Sequence, residues 1–115
     1  MIRVYGIKNC DSVKKARKWL LTHNLDYQFI DLREDGIDNN TLDFWIKQVG
    51  WEILLNKRGT TWRNLDTDQQ QSVNQTNVAD LLLANPTLIK RPVLDVDGII
   101  SVGFSTESYD QIFNQ

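Results

Sequence analysis

The apolar positions of this chain change their spacing from one segment to the next, which predicts alternating strands and helices. Segment 2–5 is β-branched and aromatic and stops at Gly6, as a short strand does. From Asp11 to about Asn24, apolar residues recur at helical spacing between basic ones and predict an amphipathic helix. Segment 27–32 alternates and predicts a second strand. A helix between two strands favours a right-handed β-α-β unit with parallel strands.

Helical spacing returns after Asp35-Gly36, where residues 42, 45, 46 and 49 are apolar and predict a helix that ends at Gly50. Segment 51–65 mixes a short apolar turn with a basic, glycine-containing stretch, and we expect a loop there. Asp66 is suited to cap a short helical piece. A firmer helix around 78–82 must end by residue 85, because a proline follows and disfavours helical geometry before it.

The strongest local signal is Asp97-Gly98 between two β-branched segments, which predicts a hairpin of strands 93–96 and 99–102. Ser105 is expected to cap a closing helix whose inward residues are Tyr109, Ile112 and Phe113. The order β-α-β, helices, hairpin and helix is that of an α/β, thioredoxin-like fold with an inserted helical subdomain. We expect a single domain over 1–115 with the insertion at approximately 37–85.

Composition narrows the possible functions. The chain has 115 residues, the size of one domain, with a single cysteine and a single histidine. These residues cannot form a usual Cys/His zinc site, and one cysteine cannot close an internal disulfide. The net charge of −2 and scattered basic residues give no case for nucleic-acid binding. Without a signal-peptide pattern or a long apolar run, we expect a cytoplasmic protein with no membrane association.

Cys10 is the first candidate for chemistry, because it lies between a predicted strand and a predicted helix. The first free amides of a helix favour a thiolate over a thiol. Lys8, Lys14 and the Ser12 hydroxyl are close in sequence and would favour the charged form further. The alternative is a buried, inert cysteine, which is common among free cysteines.

Arg91 and Pro92 form the second candidate feature. Local sequence favours a trans bond at a proline that begins a strand, whereas a thioredoxin-like fold has a cis proline here, facing the active cysteine. Arg91 and Arg58 are candidates to bind a carboxylate or an oxyanion, because guanidinium groups bind planar anions bidentately. A solvated charged surface is the alternative, which suits Arg91 less because its place beside Pro92 would aim it toward Cys10. Trp62, beside Arg58, either lines a ligand pocket or anchors its segment to the core.

Several of these motifs occur together in one known family. The sequence resembles the arsenate reductase (ArsC/Spx) family, and within it the YffB-like branch. The resemblance covers nearly the whole chain and is carried by Tyr5–Val13, Asp31–Gly36, Leu54–Arg63, Leu88–Leu94 and Val102–Ser105. It implies a thioredoxin-like fold with an inserted helical subdomain, a nucleophilic cysteine at Cys10 and a cis proline at Pro92.

The departures from the family pattern separate its possible activities. Glutathione-dependent arsenate reductases carry a helper histidine before the cysteine, and here Gly6, Ile7 and Lys8 occupy that stretch. Of their three arginines only Arg91 has a clean match. Spx-type regulators use a Cys-x-x-Cys redox switch, and here the second position is Val13. Strict arsenate reduction is therefore disfavoured, and an internal disulfide switch is impossible.

The expected function is a glutathione-dependent thiol or disulfide reductase that uses one cysteine, with external glutathione as co-substrate and no bound cofactor or metal. Cys10 is the expected nucleophile. The residues expected to bind glutathione or an anion are Arg91, Pro92, Arg58, Lys8, Asn9 and Ser12. Its substrate would be a small thiol, disulfide or oxyanion, with glutaredoxin as a further partner. The alternatives are a non-enzymatic Spx-like regulator that binds RNA polymerase or another protein, and an arsenate reductase dependent on glutathione and glutaredoxin.

Overall fold

A computed structural model describes residues 1–114, which divide into two compact units. The first unit comprises residues 1–32 and the segment from Arg91 onward, and the second comprises residues 33–90. The elements, in chain order, are β1 (Ile2–Gly6), α1 (Asp11–Thr22), β2 (Gln28–Asp31), α2 (Asn39–Val49), α3 (Trp51–Leu54), α4 (Thr60–Asn64), α5 (Thr67–Ser72), α6 (Val78–Ala84), a 3₁₀ turn (Pro86–Leu88), β3 (Val93–Val96), β4 (Ile99–Val102) and α7 (Thr106–Phe113). The expected insertion at 37–85 falls inside the second unit. That it belongs to a single domain over 1–115 stays a prediction.

The first unit is built on a four-stranded sheet in the order β2-β1-β3-β4. Strands β1 and β2 are parallel, with Gly6 opposite Asp31, and α1 connects them, as predicted. The other two pairs are antiparallel, and β3 and β4 form the predicted hairpin. Its turn residues Asp97 and Gly98 have φ of 52° and 89°, the left-handed geometry that such two-residue turns require. The α/β, thioredoxin-like fold is confirmed.

An apolar cluster between the sheet and its helices forms the core of the first unit. Its buried members are Val4, Ala16, Trp19, Leu20, Leu94 and Tyr109. Tyr109, on α7, has its ring edge-on to Trp19 at 5.4 Å and to Phe104 at 4.7 Å, so this helix closes the core as predicted. The Ser105 hydroxyl caps α7 by accepting the Ser108 N–H at 3.0 Å.

The first unit also confirms where α1 ends. The helix stops at Thr22, and Asn24 takes the left-handed conformation with φ of 58°. Its neighbour His23 stacks on Trp19 with 3.7 Å between ring centroids, and its Nδ1 lies 2.8 Å from the Trp19 carbonyl oxygen. His23 is thus part of the helix end, and no role in the chemistry of Cys10 is assigned to it.

The second unit contradicts the prediction of a loop over 51–65. Two short helices, α3 and α4, occupy most of that segment. Gly50, with φ of 89°, ends α2 and lets the chain begin another helical turn at once. Leu54 and Leu55 are buried, and Leu55 pairs with Ile89 in an isolated β-bridge. Helices of four and five residues are too short to show a period in sequence. Leu54 and Leu55 lie at the end of α3, so their burial favours α3, whereas α4 has no buried residue.

Elsewhere in the second unit the predicted helix ends are confirmed. The Asp66 carboxylate caps α5 by accepting the Gln69 N–H at 2.7 Å. Helix α6 stops at Ala84, before Pro86 begins the 3₁₀ turn. The unit's buried apolar side chains are Leu42, Trp45, Leu54, Leu55, Val78, Leu82, Leu88 and Ile89.

Candidate active site around Cys10

The turn between β1 and α1 holds Cys10 at the N-cap position of the helix. The Cys10 N–H donates to the Ile7 carbonyl at 3.1 Å, and the Cys10 carbonyl accepts the Lys14 N–H at 3.0 Å. With φ of −88° and ψ of 127° its backbone is extended, and its side chain is half-buried. The cysteine is therefore neither fully buried in the core nor fully exposed on the surface.

The surroundings of Cys10 lower the pKa of its thiol below the ordinary value. Partial burial is the largest single influence and raises the pKa, but four contacts together outweigh it. In decreasing order they are the Val13 N–H, the hydrogen bond from the Arg91 side chain, the charge of Arg91 and the Ser12 N–H. Helix amides and one cation stabilise the thiolate, which is the nucleophilic form of cysteine.

Only some of the residues predicted to stabilise the Cys10 thiolate contribute to its lowered pKa. Arg91 is the cation that lowers the pKa of Cys10, and neither Lys8 nor Lys14 is among the influences on it within the described chain. Ser12 contributes through its backbone N–H, whereas the sequence suggested its hydroxyl. A lysine next to a cysteine in sequence need not face it, and only the fold shows which cation does.

Arg91 reaches the sulfur from a segment distant in sequence. The Arg91-Pro92 peptide bond is cis, as the resemblance implied. Pro92 is buried, and its carbonyl accepts the Gly103 N–H at 2.8 Å. The Arg91 side chain donates a hydrogen bond to the Cys10 sulfur, so the residues before β3 and the start of α1 meet at one end of the sheet.

A buried carboxylate that the sequence pattern did not single out supports the turn. Asp31, at the end of β2, is 3% exposed, and its Oδ2 accepts the Lys8 N–H at 3.2 Å. The Leu32 N–H next to it donates to the Gly6 carbonyl at 2.8 Å. The β1 side of the turn is thus held at two points by the end of β2 and the residue after it. The sequence does place an acidic residue at the end of an apolar strand. A carboxylate is costly to bury without a partner, so this position could have pointed to a specific contact.

The remaining predicted site residues lie in two places. Lys8 and Asn9 are exposed in the turn before Cys10, and Ser12 is exposed in the first turn of α1. Arg58 is an exposed residue of the second unit, where its N–H donates to the Asn56 side chain at 3.0 Å. The binding roles of these four residues stay predictions.

Trp62, on α4, is partly buried. The Lys57 ammonium lies 5.4 Å from its ring centroid, within cation–π range, and its carbonyl accepts a hydrogen bond from the Gln70 side chain at 2.8 Å. These contacts anchor Trp62 within its own unit.

Residues 1–114 contain neither a metal-binding cluster nor a membrane-spanning helix. No three His, Cys, Asp or Glu side chains in this part of the chain are grouped so that they could hold a metal ion. None of its helices combines the length and the apolar character needed to cross a membrane.

Replacing Arg91 with leucine is expected to raise the pKa of Cys10, because the thiolate loses a hydrogen bond and a positive charge. A charge-assisted hydrogen bond contributes about 1 kcal/mol or more, so alkylation by iodoacetamide near neutral pH should slow at least about threefold. The rate is measured against pH by intact mass. The control Lys90→Leu removes an adjacent, exposed charge and should leave the pH profile unchanged. Equal profiles for wild type and Arg91→Leu would contradict the contact.

Replacing Asp31 with alanine is expected to raise the pKa of Cys10 by releasing the turn, whereas Asp31→Asn keeps an acceptor for the Lys8 N–H and should preserve it. The matched control is Asp95, 9% exposed, which accepts the Gly98 N–H at 2.7 Å in the distant hairpin turn. Asp95→Ala should lower thermal stability without moving the alkylation profile. If both alanine variants shift the profile alike, Asp31 has no specific role in positioning Cys10.

The fold and the site together define a class of protein. It is a thioredoxin-like protein with one cysteine of lowered pKa at the start of the first helix and a cis proline just before β3. The sequence pattern of the ArsC family matches residues 5–112, and the chain belongs to that family.

Relatives and solved structures agree with this assignment. A protein of Haemophilus influenzae with no characterised function is 50% identical over 113 residues, 98% of this chain and 99% of that protein. A solved structure named YffB has 42% identity and a TM-score of 0.91, covering 96% of this chain and 97% of the other. An arsenate reductase (ArsC) related protein from Brucella melitensis has 46% identity and a TM-score of 0.79, covering 99% and 95%. The global transcriptional regulator Spx of Streptococcus pyogenes is 25% identical over 109 residues, 93% of this chain and 81% of the regulator.

Proposed function

We propose that this protein is a cytoplasmic, glutathione-dependent thiol/disulfide reductase that works through Cys10 alone. The observation that carries the proposal is the lowered pKa of a partly accessible thiol, held by the Val13 amide and the Arg91 side chain. A lowered pKa increases the fraction of thiolate at neutral pH, and the thiolate is what attacks a disulfide sulfur.

The proposed cycle has two exchanges. The Cys10 thiolate attacks the glutathione sulfur of a substrate–glutathione disulfide, forming a Cys10–glutathione disulfide and releasing the substrate thiolate, which takes up a proton. A second glutathione, as thiolate, then attacks that disulfide, releasing oxidised glutathione and the Cys10 thiolate. One substrate disulfide is reduced and two glutathione units become one oxidised glutathione. External glutathione must do the second step, because the chain has no other cysteine.

The residues around Cys10 have roles suited to this cycle. Arg91 stabilises Cys10 as nucleophile and as leaving group, since both are thiolates, and its guanidinium suits a glutathione carboxylate. The backbone around Lys8, Asn9 and Pro92 offers polar groups to the tripeptide. Ser12 supplies its N–H to the sulfur, and the binding of an anion by Arg58 stays a prediction.

The relatives support a thiol-based activity without deciding the substrate. One similar structure is described as related to arsenate reductase, and a more distant relative is a transcriptional regulator. Arsenate reduction is the weaker candidate, because the chain lacks the family's helper histidine and two matched arginines. Regulation through an internal disulfide is excluded by the single cysteine, although binding to a partner such as RNA polymerase requires no disulfide.

The proposal is tested by incubating the reduced protein with glutathione and, separately, a glutathionylated peptide, a small disulfide and arsenate. Formation of oxidised glutathione is followed through NADPH consumption by glutathione reductase. We expect turnover of the peptide and the small disulfide, and none of arsenate even with glutaredoxin added. Turnover of arsenate alone would identify an arsenate reductase. No turnover of any substrate, together with capture of RNA polymerase, would identify a regulator.

A further inference from the structure

One face of α1 carries basic and apolar side chains in line with Cys10. Lys14, Arg17 and Leu21 follow Cys10 at intervals of four, three and four residues. With about 100° of rotation per residue, these positions fall within an arc of about 60° on the helix surface. Lys14 is exposed and Leu21 is 66% exposed. We call this row the α1 stripe, and it leads from the thiol along the helix.

Arg17 is held in place within the α1 stripe. Its guanidinium carbon lies 4.1 Å from the ring centroid of Phe29, and its Nε donates to the Tyr27 hydroxyl at 3.0 Å. Within residues 1–114 no carboxylate pairs with Arg17, since the ion pairs found there involve other groups. A fixed arginine loses little side-chain entropy on binding, and its terminal N–H groups suit a carboxylate.

A groove adjoins the stripe at its far end. It has a volume of about 510 Å³ and is lined by Arg17, Leu21, Leu25, Asp26, Tyr27 and Phe29. Phe29 belongs to β2, an outer strand of the sheet, so the groove is at a sheet edge. An arginine beside aromatic rings is typical of surfaces where a few anchors dominate binding.

We propose that the α1 stripe and this groove bind a segment of a substrate protein that carries an acidic and then an apolar side chain beside the cysteine to be reduced. This inference rests on the proposed function and names its substrate class as glutathionylated proteins. Charge complementarity selects the occupant, because Lys14 and Arg17 lie nearest the thiol. Asp26 also lines the groove, which disfavours a continuous acidic segment and favours an apolar side chain beyond the acid.

The helix dimensions set the spacing within that segment. At about 1.5 Å per residue, Arg17 lies about 10 Å along the axis from Cys10 and Leu21 about 16 Å. Helical side chains lean toward the N-terminus, so the surfaces they cover lie closer to the thiol than these values. An extended chain advances about 3.3 Å per residue and repeats its facing every two residues. The acid therefore belongs two residues from the substrate cysteine and the apolar residue four.

The test uses two synthetic peptides with the full-length protein. The first is Leu-Ser-Glu-Ser-Cys-Ser-Glu-Ser-Leu, glutathionylated at its cysteine and symmetric so that either chain direction can bind. The second has lysine in place of both glutamates. We expect kcat/KM for oxidised glutathione formation to be about tenfold higher with the glutamate peptide, and this preference to shrink as salt is added.

Three variants test whether the α1 stripe produces the preference for the glutamate peptide. Arg17→Glu should abolish the preference for the glutamate peptide, and Leu21→Asp should lower kcat/KM for both peptides. The matched control Lys15→Glu makes the same charge reversal on the same helix, but about 100° away from the stripe, and should keep the preference. Melting temperatures are measured to check that all three remain folded. A preference that survives Arg17→Glu, or that Lys15→Glu removes equally, would overturn the proposal.

A binding measurement separates this inference from the proposed function. The same peptides with serine in place of cysteine are titrated into the wild-type protein, and chemical shifts of the Arg17 Nε–H and the Phe29 amide are followed by NMR. Shifts with the glutamate peptide but not the lysine peptide support the surface even if no glutathione turnover is found. Turnover without such shifts or peptide preference would retain the reductase and reject the surface.

Discussion

Cys10→Ser is expected to abolish glutathione turnover, by at least about 10³-fold, while leaving the fold intact. The substitution replaces sulfur with oxygen at the same position, so packing changes little. A hydroxyl ionises far less readily than a thiol, and the amide and Arg91 contacts that produce a thiolate cannot produce an alkoxide at neutral pH. Since the chain has no second cysteine, no other group can take over.

The measurement compares wild type and Cys10→Ser in the coupled assay, with intact mass after exposure to oxidised glutathione as the second readout. Wild type should acquire one glutathione and the variant none. Residual turnover within about tenfold of wild type would contradict a covalent route and point to simple co-binding of glutathione and substrate. Matching circular dichroism and melting temperatures confirm that the serine variant is folded.

Gly6→Ala should both destabilise the protein and disturb Cys10, because a β-carbon at residue 6 has no room. Placed with ideal geometry on the Gly6 backbone, it would lie 2.5 Å from Cγ2 of Val13 and 3.0 Å from Cγ1. Val13 is fully buried and branched at Cβ, so α1 itself must shift. Overpacking of this kind costs about 1–3 kcal/mol. The Val13 N–H would move away from the sulfur, which raises the pKa of Cys10.

Gly36→Ala is the matched control for this substitution. Gly36 has φ of 72°, but a β-carbon added there would have no neighbouring atom within 4 Å, so alanine is strained only by its backbone conformation. We expect Gly36→Ala to lower the unfolding free energy by about 1 kcal/mol and to leave the alkylation profile of Cys10 unchanged. Chemical denaturation and the iodoacetamide profile are measured on both variants. An unchanged profile in Gly6→Ala would show that α1 absorbs the clash without moving the Val13 amide.

The α1 stripe bears on how a single-cysteine reductase selects its substrates. The two exchanges need only a thiolate and glutathione, and neither distinguishes one glutathionylated protein from another. Selectivity must then come from contacts outside the reacting sulfurs, and Lys14, Arg17 and Leu21 continue from Cys10 along one helix face. Charges such as those of Lys14 and Arg17, which lie at the edge of a binding surface, mainly affect association rates and the salt dependence of those rates.

The sequence alone determined those parts of the fold whose signals are local. The hairpin bounds followed from Asp97-Gly98 between β-branched segments, and the parallel pairing of β1 and β2 followed from the helix that connects them. Caps such as Ser105 act over three residues, so a side chain and its partner appear together in the sequence. Cys10 was identifiable for the same reason, because a strand, a turn and a helix N-terminus are consecutive.

Tertiary structure decided the features that depend on residues far apart in the chain. Arg91 lies 81 positions from Cys10, and only its place beside Pro92 in the expected fold aimed it toward the thiol, whereas local sequence favoured Lys8 and Lys14. Asp31 supports the turn only because β2 pairs with β1. The helices over 51–54 and 60–64 are too short to show a period in sequence, and the first of them ends on the buried pair Leu54 and Leu55. Local propensity specifies elements, but contacts between distant segments specify the electrostatics of the site.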